Sequence, residues 1–277
     1  MSAPVFDLQA HSTRSDGALE PGAVVAAAAC AGVELLALTD HDTVEGVAEA
    51  LAAGRENGVE VVPAVEVSAV QAGGGADVHV LGYRVDNRSP DLVRALGGWQ
   101  ADRALRIERM ADRLEELGFE LDRTELEARR AAGDPLGRPH LAAAVRGRPE
   151  DFFERYLVPG APAFVPRTTP GVGEAIAAIH AAGGVAVWAH PFWDVSDPGE
   201  VLATLERFRA DGLDGVEVFY PTHTEDRVAL LAERCTRDGL LQTGSADFHA
   251  PDHPQFDRFR AFELYGREPV LGPIGRA

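Results

Sequence analysis

The chain has 277 residues, 45% apolar and 25% charged, enough for one large α/β domain or a domain carrying an insertion. No apolar run approaches the ~20 residues of a membrane span, the N-terminus has no secretory pattern, and Cys30 and Cys235 are too few for a disulfide framework; the expectation is a reducing, cytoplasmic setting. A formal charge of −18 argues against a broad duplex-binding surface, because phosphates would be repelled.

In chain order, short apolar runs alternate with helical patterns, which is how a parallel sheet reads. The expected strands are VFDLQ (5–9), VELLALT (33–39), VEVVPAVEVS (59–68), DVHVLGYRV (77–85), GVAVWAH (184–190), GVEVFY (215–220) and LLQTGSADF (240–248). Between them lie helical stretches such as PGAVVAAAACAG, GEAIAAIHAAG and DRVALLAERCTRDG. Pro21 sits early in a first turn, and Asp42 with Glu45 has the spacing of a capping box.

The alternation breaks once, where residues 89–166 read as helix throughout and close on Pro159, Pro162 and Pro166. This predicts an all-helical inserted subdomain over 89–166, with residues 1–88 and 167–277 forming the main body. Charge follows the same division. All 26 basic residues are Arg; residues 84–167 hold 15 Arg against 15 Asp and Glu, leaving 11 against 29 elsewhere, the whole of the −18. A neutral, Arg-rich insert over an acidic body is suited to supplying anion contacts, although a mixed-charge helical surface has the same composition.

Polar residues able to bind metal recur at the C-terminal ends of the expected strands. His11 and Asp16 follow the first, and Asp40, His41 and Asp42 the second. Glu66 lies inside the third, His79 in the fourth, His190 at the end of the fifth, and Asp247 and His249 after the seventh. In barrels of alternating strands and helices, that rim is where active sites form. Each residue alone has a structural explanation. Five of the nine His with Asp and Glu interspersed point instead to a metal centre.

These motifs resemble the PHP family of metal-dependent phosphoesterases. The family opens on D-L-H-x-H-S-x-x-S-D-G, here DLQAHSTRSDG at 7–17, and its T-D-H-D stands unchanged at 39–42. EVS at 66–68, HVLGY at 79–83, AHP at 189–191 and ADFH at 246–249 look like its later elements. GRPHLAAAV, FERYL and AFVPRTTPGVGEAIAAIHAAGGVAVWAHP resemble a nucleotide-phosphatase branch with a helical insertion. The resemblance implies a distorted seven-stranded β/α barrel and hydrolysis of phosphomonoesters of small nucleotides, including 3′,5′-bisphosphates and AMP, or trimming of short oligoribonucleotides from the 5′ end. Alternatives are a non-nucleotide substrate, such as histidinol phosphate or a sugar phosphate, and a catalytically silent metal- or nucleotide-binding protein.

The resemblance also implies two to three divalent metal ions, Mn²⁺ foremost and Fe²⁺ or Zn²⁺ otherwise. His11, Glu66 and Asp247 would serve one centre; Glu66, His79 and His190 a second; Asp16, His41 and His249 a third. Gln9 replaces the family's first His and would be a weak ligand at the first centre. Asp40 and Asp42 would orient the imidazoles or cap a helix. Arg138 and Arg167 are expected to grip substrate phosphate, and His223 and His140 to contact substrate or act on the leaving group. Trp193, Phe219 and Tyr220 are candidates to stack a base, while His180 is expected in packing or at the surface and His253 in a loop. Nothing in the sequence calls for a membrane, duplex nucleic acid or an obligate protein partner.

Overall fold

A computed structural model of the chain describes residues 4–71, 77–132, 136–193 and 195–275. Among these, seven strands form one sheet in chain order: β1 (Phe6–Asp7), β2 (Leu35–Leu38), β3 (Glu60–Val70), β4 (Asp77–Tyr83), β5 (Val185–Trp188), β6 (Gly215–Phe219) and β7 (Leu241–Gly244). The sheet nearly closes on itself. Leu8 N donates to Gly244 O at 3.2 Å, and His11 N donates to Phe248 O at 2.8 Å. Buried Asp7 fastens the same seam, accepting from Ala246 N at 2.9 Å and Arg260 N at 2.8 Å. Burial pushes its carboxyl up to about 7 against those two hydrogen bonds.

The sheet is not all parallel, contrary to the alternation in the sequence. Four neighbouring pairs are parallel, but β4 runs antiparallel to both β3 and β5. The reversal comes from the β3–β4 connection: residues 71–76 are too few for the crossover of a dozen or more residues that parallel neighbours require, and β5 then resumes the direction of β3. The long β3–β4 pairing carries Glu66 opposite Leu81 and Ser68 opposite His79, so two polar rim positions share one rigid ladder.

Helices α1 (Pro21–Cys30), α2 (Val47–Asn57), α7 (Val172–Ala181), α8 (Pro198–Ala210) and α9 (Glu225–Asp238) cover the sheet. In α9, Val228, Leu231, Ala232 and Cys235 fall on one helical face and are buried; each large one adds about 1.5–3 kcal/mol of transfer free energy. Pro21 occupies the first turn of α1. The expected capping box at Asp42 and Glu45 does not form. Helix α2 starts later, after Gly46, and Asp42 instead accepts from Ser68 N at 2.8 Å and pairs with Arg103 at 2.8 Å.

Helices α3 (Pro90–Glu116), α4 (Thr124–Ala132), α5 (Arg138–Ala144) and α6 (Phe152–Tyr156) form the helical stretch. It has its own apolar cluster, built from Ile107, Met110, Leu114, Leu141, Phe152 and Leu157. Helix α3 belongs to both units, because Leu92 and Leu96 pack into the barrel core while its second half enters the insert's cluster. Its start is set by Pro90 and by Ser89, whose hydroxyl accepts from Leu92 N. Among the described residues, no helix is long and apolar enough to cross a membrane.

Candidate active site

The rim residues converge on Glu66, which is fully buried. His11 Nε2 lies 3.1 Å from Glu66 Oε2 and 3.1 Å from Asp247 Oδ1. The other Glu66 oxygen meets His79 Nδ1 at 2.6 Å and His190 Nε2 at 3.4 Å. Asp16 faces three imidazoles, His11 at 3.4 Å, His41 at 3.6 Å and His249 at 3.8 Å. Seven of the eight expected donors fall in overlapping groups whose ligand atoms lie within 4.8 Å of one another, and His190 joins them through Glu66.

Local structure explains why the side chains gather. Gln9 and His11 lie on one face of an extended segment because strand side chains alternate. Asp40 ties down the loop beyond them, accepting from Ser12 N at 2.7 Å, Ser12 Oγ at 2.6 Å and Ser15 Oγ at 2.7 Å. Gly17 closes that loop so tightly that a Cβ there would sit 2.3 Å from His11 O. Asp42, His190 and Asp247 all adopt positive φ, at 55°, 31° and 56°. Non-glycine residues pay for that conformation unless their surroundings impose it.

The cluster fits metal ions better than it fits hydrogen bonding. His11 Nε2, His41 Nδ1 and Asp247 Oδ1 are buried without an aligned hydrogen-bond partner, although each has opposite-type groups close by. Nitrogen and oxygen donors that crowd together without aligned hydrogen bonds suit ligands around a cation. Charge is also poised for exchange. Burial opposes ionisation of Glu66, yet His41, His79 and His11 hold it well below the usual carboxylate range. Burial likewise opposes ionisation of Asp247, but His249 and His11 bring it down to about 2. Burial pushes His41 down to about 3 against the pull of Glu66 and Asp16.

A PHP domain matches residues 7–88. The chain is also 34% identical, over 251 residues, to a 5′-3′ exoribonuclease of Haemophilus influenzae, covering 89% of this chain and 90% of that one. It belongs to the PHP family. A 3′,5′-nucleoside bisphosphate phosphatase of Chromobacterium violaceum is 35% identical over 284 residues, covering 98% of this chain and 95% of that one. The solved structure of an amidohydrolase from Chromobacterium violaceum, with bound sulfate and no metal, aligns at a TM-score of 0.81 and 31% identity, over 99% of this chain and 94% of that one. The chain is thus a PHP metal-dependent phosphoesterase, a hydrolase of phosphoric esters.

Within this PHP site several expected residues take unexpected postures. Gln9 turns its amide nitrogen to Glu66 Oε2 at 2.8 Å, while its oxygen lies 3.4 Å from Ser245 Oγ. A donor facing an ionised carboxylate is the stable orientation, so the oxygen expected to ligate faces away from Glu66. His223 Nδ1 donates to Val218 O at 2.9 Å, and burial pushes its pKa down to about 4. Its Nε2 is consequently unprotonated at neutral pH and holds no proton for a leaving group. His140 accepts from Gly137 N at 3.0 Å and so caps α5 beside Asp16 and His41. Asp40 and Asp42 bind hydroxyls, backbone amides and Arg103; among the described residues neither shows a hydrogen bond to an imidazole.

Arg138 and Arg167 join Arg103 and Arg106 in a group of four guanidinium groups around two carboxylates. Asp77 takes Arg138 at 3.4 Å and Arg106 at 3.6 Å, while Asp42 takes Arg103 at 2.8 Å and Arg167 at 3.9 Å. Arg167 is buried, donates to Ser68 O at 2.5 Å and leaves its Nε unpartnered. Phe219 is fully buried, and Tyr220, 2% exposed, donates to Asp247 Oδ2 at 2.8 Å, so neither is open for base stacking. His180 is partly exposed and bonds Asp214 at 2.7 Å. His253 organises its own loop by accepting from Phe256 N at 2.9 Å.

Sequence reading passed over Glu217. This fully buried carboxylate accepts from His190 N at 2.8 Å and from Ser245 Oγ at 2.5 Å. Burial raises its pKa well above the usual carboxylate range. The signal was present as a lone acid inside the apolar run GVEVF, the same signal that marked Glu66.

Proposed function

We propose that the chain hydrolyses phosphomonoesters of small nucleotides, such as 3′,5′-bisphosphates and AMP, or acts at the 5′ end of short oligoribonucleotides. The observation that carries this reading is the joining of two features at one rim: Glu66 with seven imidazole and carboxylate donors around it, and beside His79 a cluster of four Arg facing two carboxylates. The first suits divalent ions, the second the anionic substrate. Relatives named as a bisphosphate phosphatase and an exoribonuclease agree with that substrate class.

His11, Glu66 and Asp247 are assigned to one ion, Glu66, His79 and His190 to a second, and Asp16, His41 and His249 to a third. Divalent ions held there supply charge neutralisation for phosphoryl oxygens and acidify an attacking water. Mixed nitrogen and oxygen donors favour Mn²⁺, with Fe²⁺ or Zn²⁺ next. Gln9 favours two firmly held ions over three, since its N–H occupies Glu66 Oε2. Arg138, partly exposed, is assigned a direct phosphate contact; buried Arg167 holds Asp42 and Ser68 behind it. His140, beside Asp16 and His41, is assigned to the substrate side of the donor cluster. The free Cys30 and Cys235 favour a reducing, cytoplasmic setting.

The test is phosphate release from a panel: AMP, a 3′,5′-bisphosphate nucleotide, 5′-phosphorylated short RNA and histidinol phosphate, each with Mn²⁺, Fe²⁺ or Zn²⁺. Turnover of the nucleotides above histidinol phosphate is expected. Preference for histidinol phosphate would overturn the substrate class.

A further inference from the structure

Three aromatics beside the metal cluster had the chemistry to stack a base, and burial separates them. Phe219 and Tyr220 are closed off, as described above. Trp193 is 46% exposed, the one aromatic among the strongly exposed large apolar side chains of the described residues. An indole left in water forgoes substantial transfer free energy, and tryptophan is favoured where one part is held and another waits for a partner.

Its position is fixed by the metal site itself. Trp193 N donates to His190 O at 2.9 Å, so the turn that presents the His190 imidazole to Glu66 also presents the indole. The ring lies 6.2 Å from His190 and 6.2 Å from Tyr220, both nearly edge-on, and 5.6 Å from Phe256. Phe256 in turn stacks against His253 at 5.1 Å and lies 5.5 Å from the His249 ring. The indole is therefore braced on buried rings and continuous with imidazoles of the cluster. A group bonded to a phosphoryl centre there has this ring as its exposed aromatic neighbour.

We propose that Trp193 forms a base-stacking subsite that recognises the nucleobase of the substrate by its π-face. The proposal rests on the reading of the chain as a nucleotide phosphoesterase and goes beyond it by naming the residue that separates nucleotides from phosphates lacking a base. Stacking needs no hydrogen-bond pattern, so the subsite accepts all bases, with purines held best through their larger area.

The experiment compares AMP with ribose 5-phosphate on the Mn²⁺-loaded full chain, in wild type, Trp193→Ala and Trp193→Phe. Wild type is expected to favour AMP in kcat/KM. Trp193→Ala is expected to raise KM for AMP by between about fivefold and about a hundredfold, leave ribose 5-phosphate unchanged, and leave kcat nearly unchanged; Trp193→Phe restores most of the loss. AMP should also quench tryptophan fluorescence in wild type far more than in Trp193→Phe, where Trp99 and buried Trp188 remain. Equal losses on both substrates, or no loss on AMP, would overturn the subsite while leaving the phosphoesterase reading intact. No turnover of AMP or of ribose 5-phosphate by the wild type would overturn both.

Discussion

Lowering the pH tests the electrostatics of His223 directly. This imidazole is 3% exposed, donates through Nδ1 to Val218 O and is flanked by the rings of Phe192 and Tyr220, each at 5.5 Å. Burial depresses its pKa from 6.5 to about 4. The sign follows from linkage: below 6.5 the unfolded chain takes up a proton that the folded chain refuses until about 4. Stability carried by neutral His223 is therefore present above 6.5 and lost as pH falls toward 4. Those two values give a loss of about 2 kcal/mol between pH 7 and 5, of the roughly 3.4 kcal/mol that the full shift represents. His223→Asn keeps a donor near Val218 O and has nothing to titrate. Denaturant unfolding at pH 7 and 5 should show wild type losing about 2 kcal/mol more than the variant. His41 is depressed as well, but it is common to both proteins and cancels in the difference. Identical pH slopes would refute the assignment of a buried neutral imidazole.

Further outcomes follow from the same geometry. Glu217→Leu removes the acceptor of His190 N and Ser245 Oγ, so metal affinity should fall about 10- to 100-fold, as for other supports of ligating side chains; unchanged affinity in a metal titration would remove Glu217 from the site. Gln9→His should raise the number of bound metal ions per chain, and identical full occupancy in both proteins would contradict the reading of Gln9 as a donor to Glu66. Arg138→Ala should raise KM for nucleotides with little change in kcat, whereas unchanged kinetics would make Arg138 a structural partner of Asp77. Tyr83 is fully buried and donates to Leu8 O at 2.9 Å; Tyr83→Phe should lower unfolding free energy by about 1–2 kcal/mol, and a loss within error would show that bond to be dispensable.

The strands were legible because each is an apolar run bounded by turn residues, and the rim was legible because acids and imidazoles interrupt those runs at one end. Glu66 stood out for that reason. Glu217 carried the same mark, but its role exists only through a backbone amide beyond β5 and a hydroxyl beyond β7. Strand direction was misread at β4, although the short Gly-rich link before it permits only a hairpin. Arg103 was illegible for another reason: on α3 it is one charged residue among many, and only tertiary packing carries it to Asp42. The division between barrel and insert was placed before α3 because composition changes there, whereas packing divides that helix in its middle. At Gln9 the sequence marked the substitution, and geometry supplied the direction of its hydrogen bond.

The central claim is that donors gathered around Glu66 hold divalent ions on which phosphoester hydrolysis depends. Titrating Mn²⁺ into chelator-treated protein, while measuring bound metal and phosphate release from AMP together, tests it most directly. Activity should be absent without metal and rise in step with occupancy of two ions per chain, and Asp247→Asn should lower both. Phosphate release at full rate from protein with no bound metal, or full occupancy without any turnover, would contradict it.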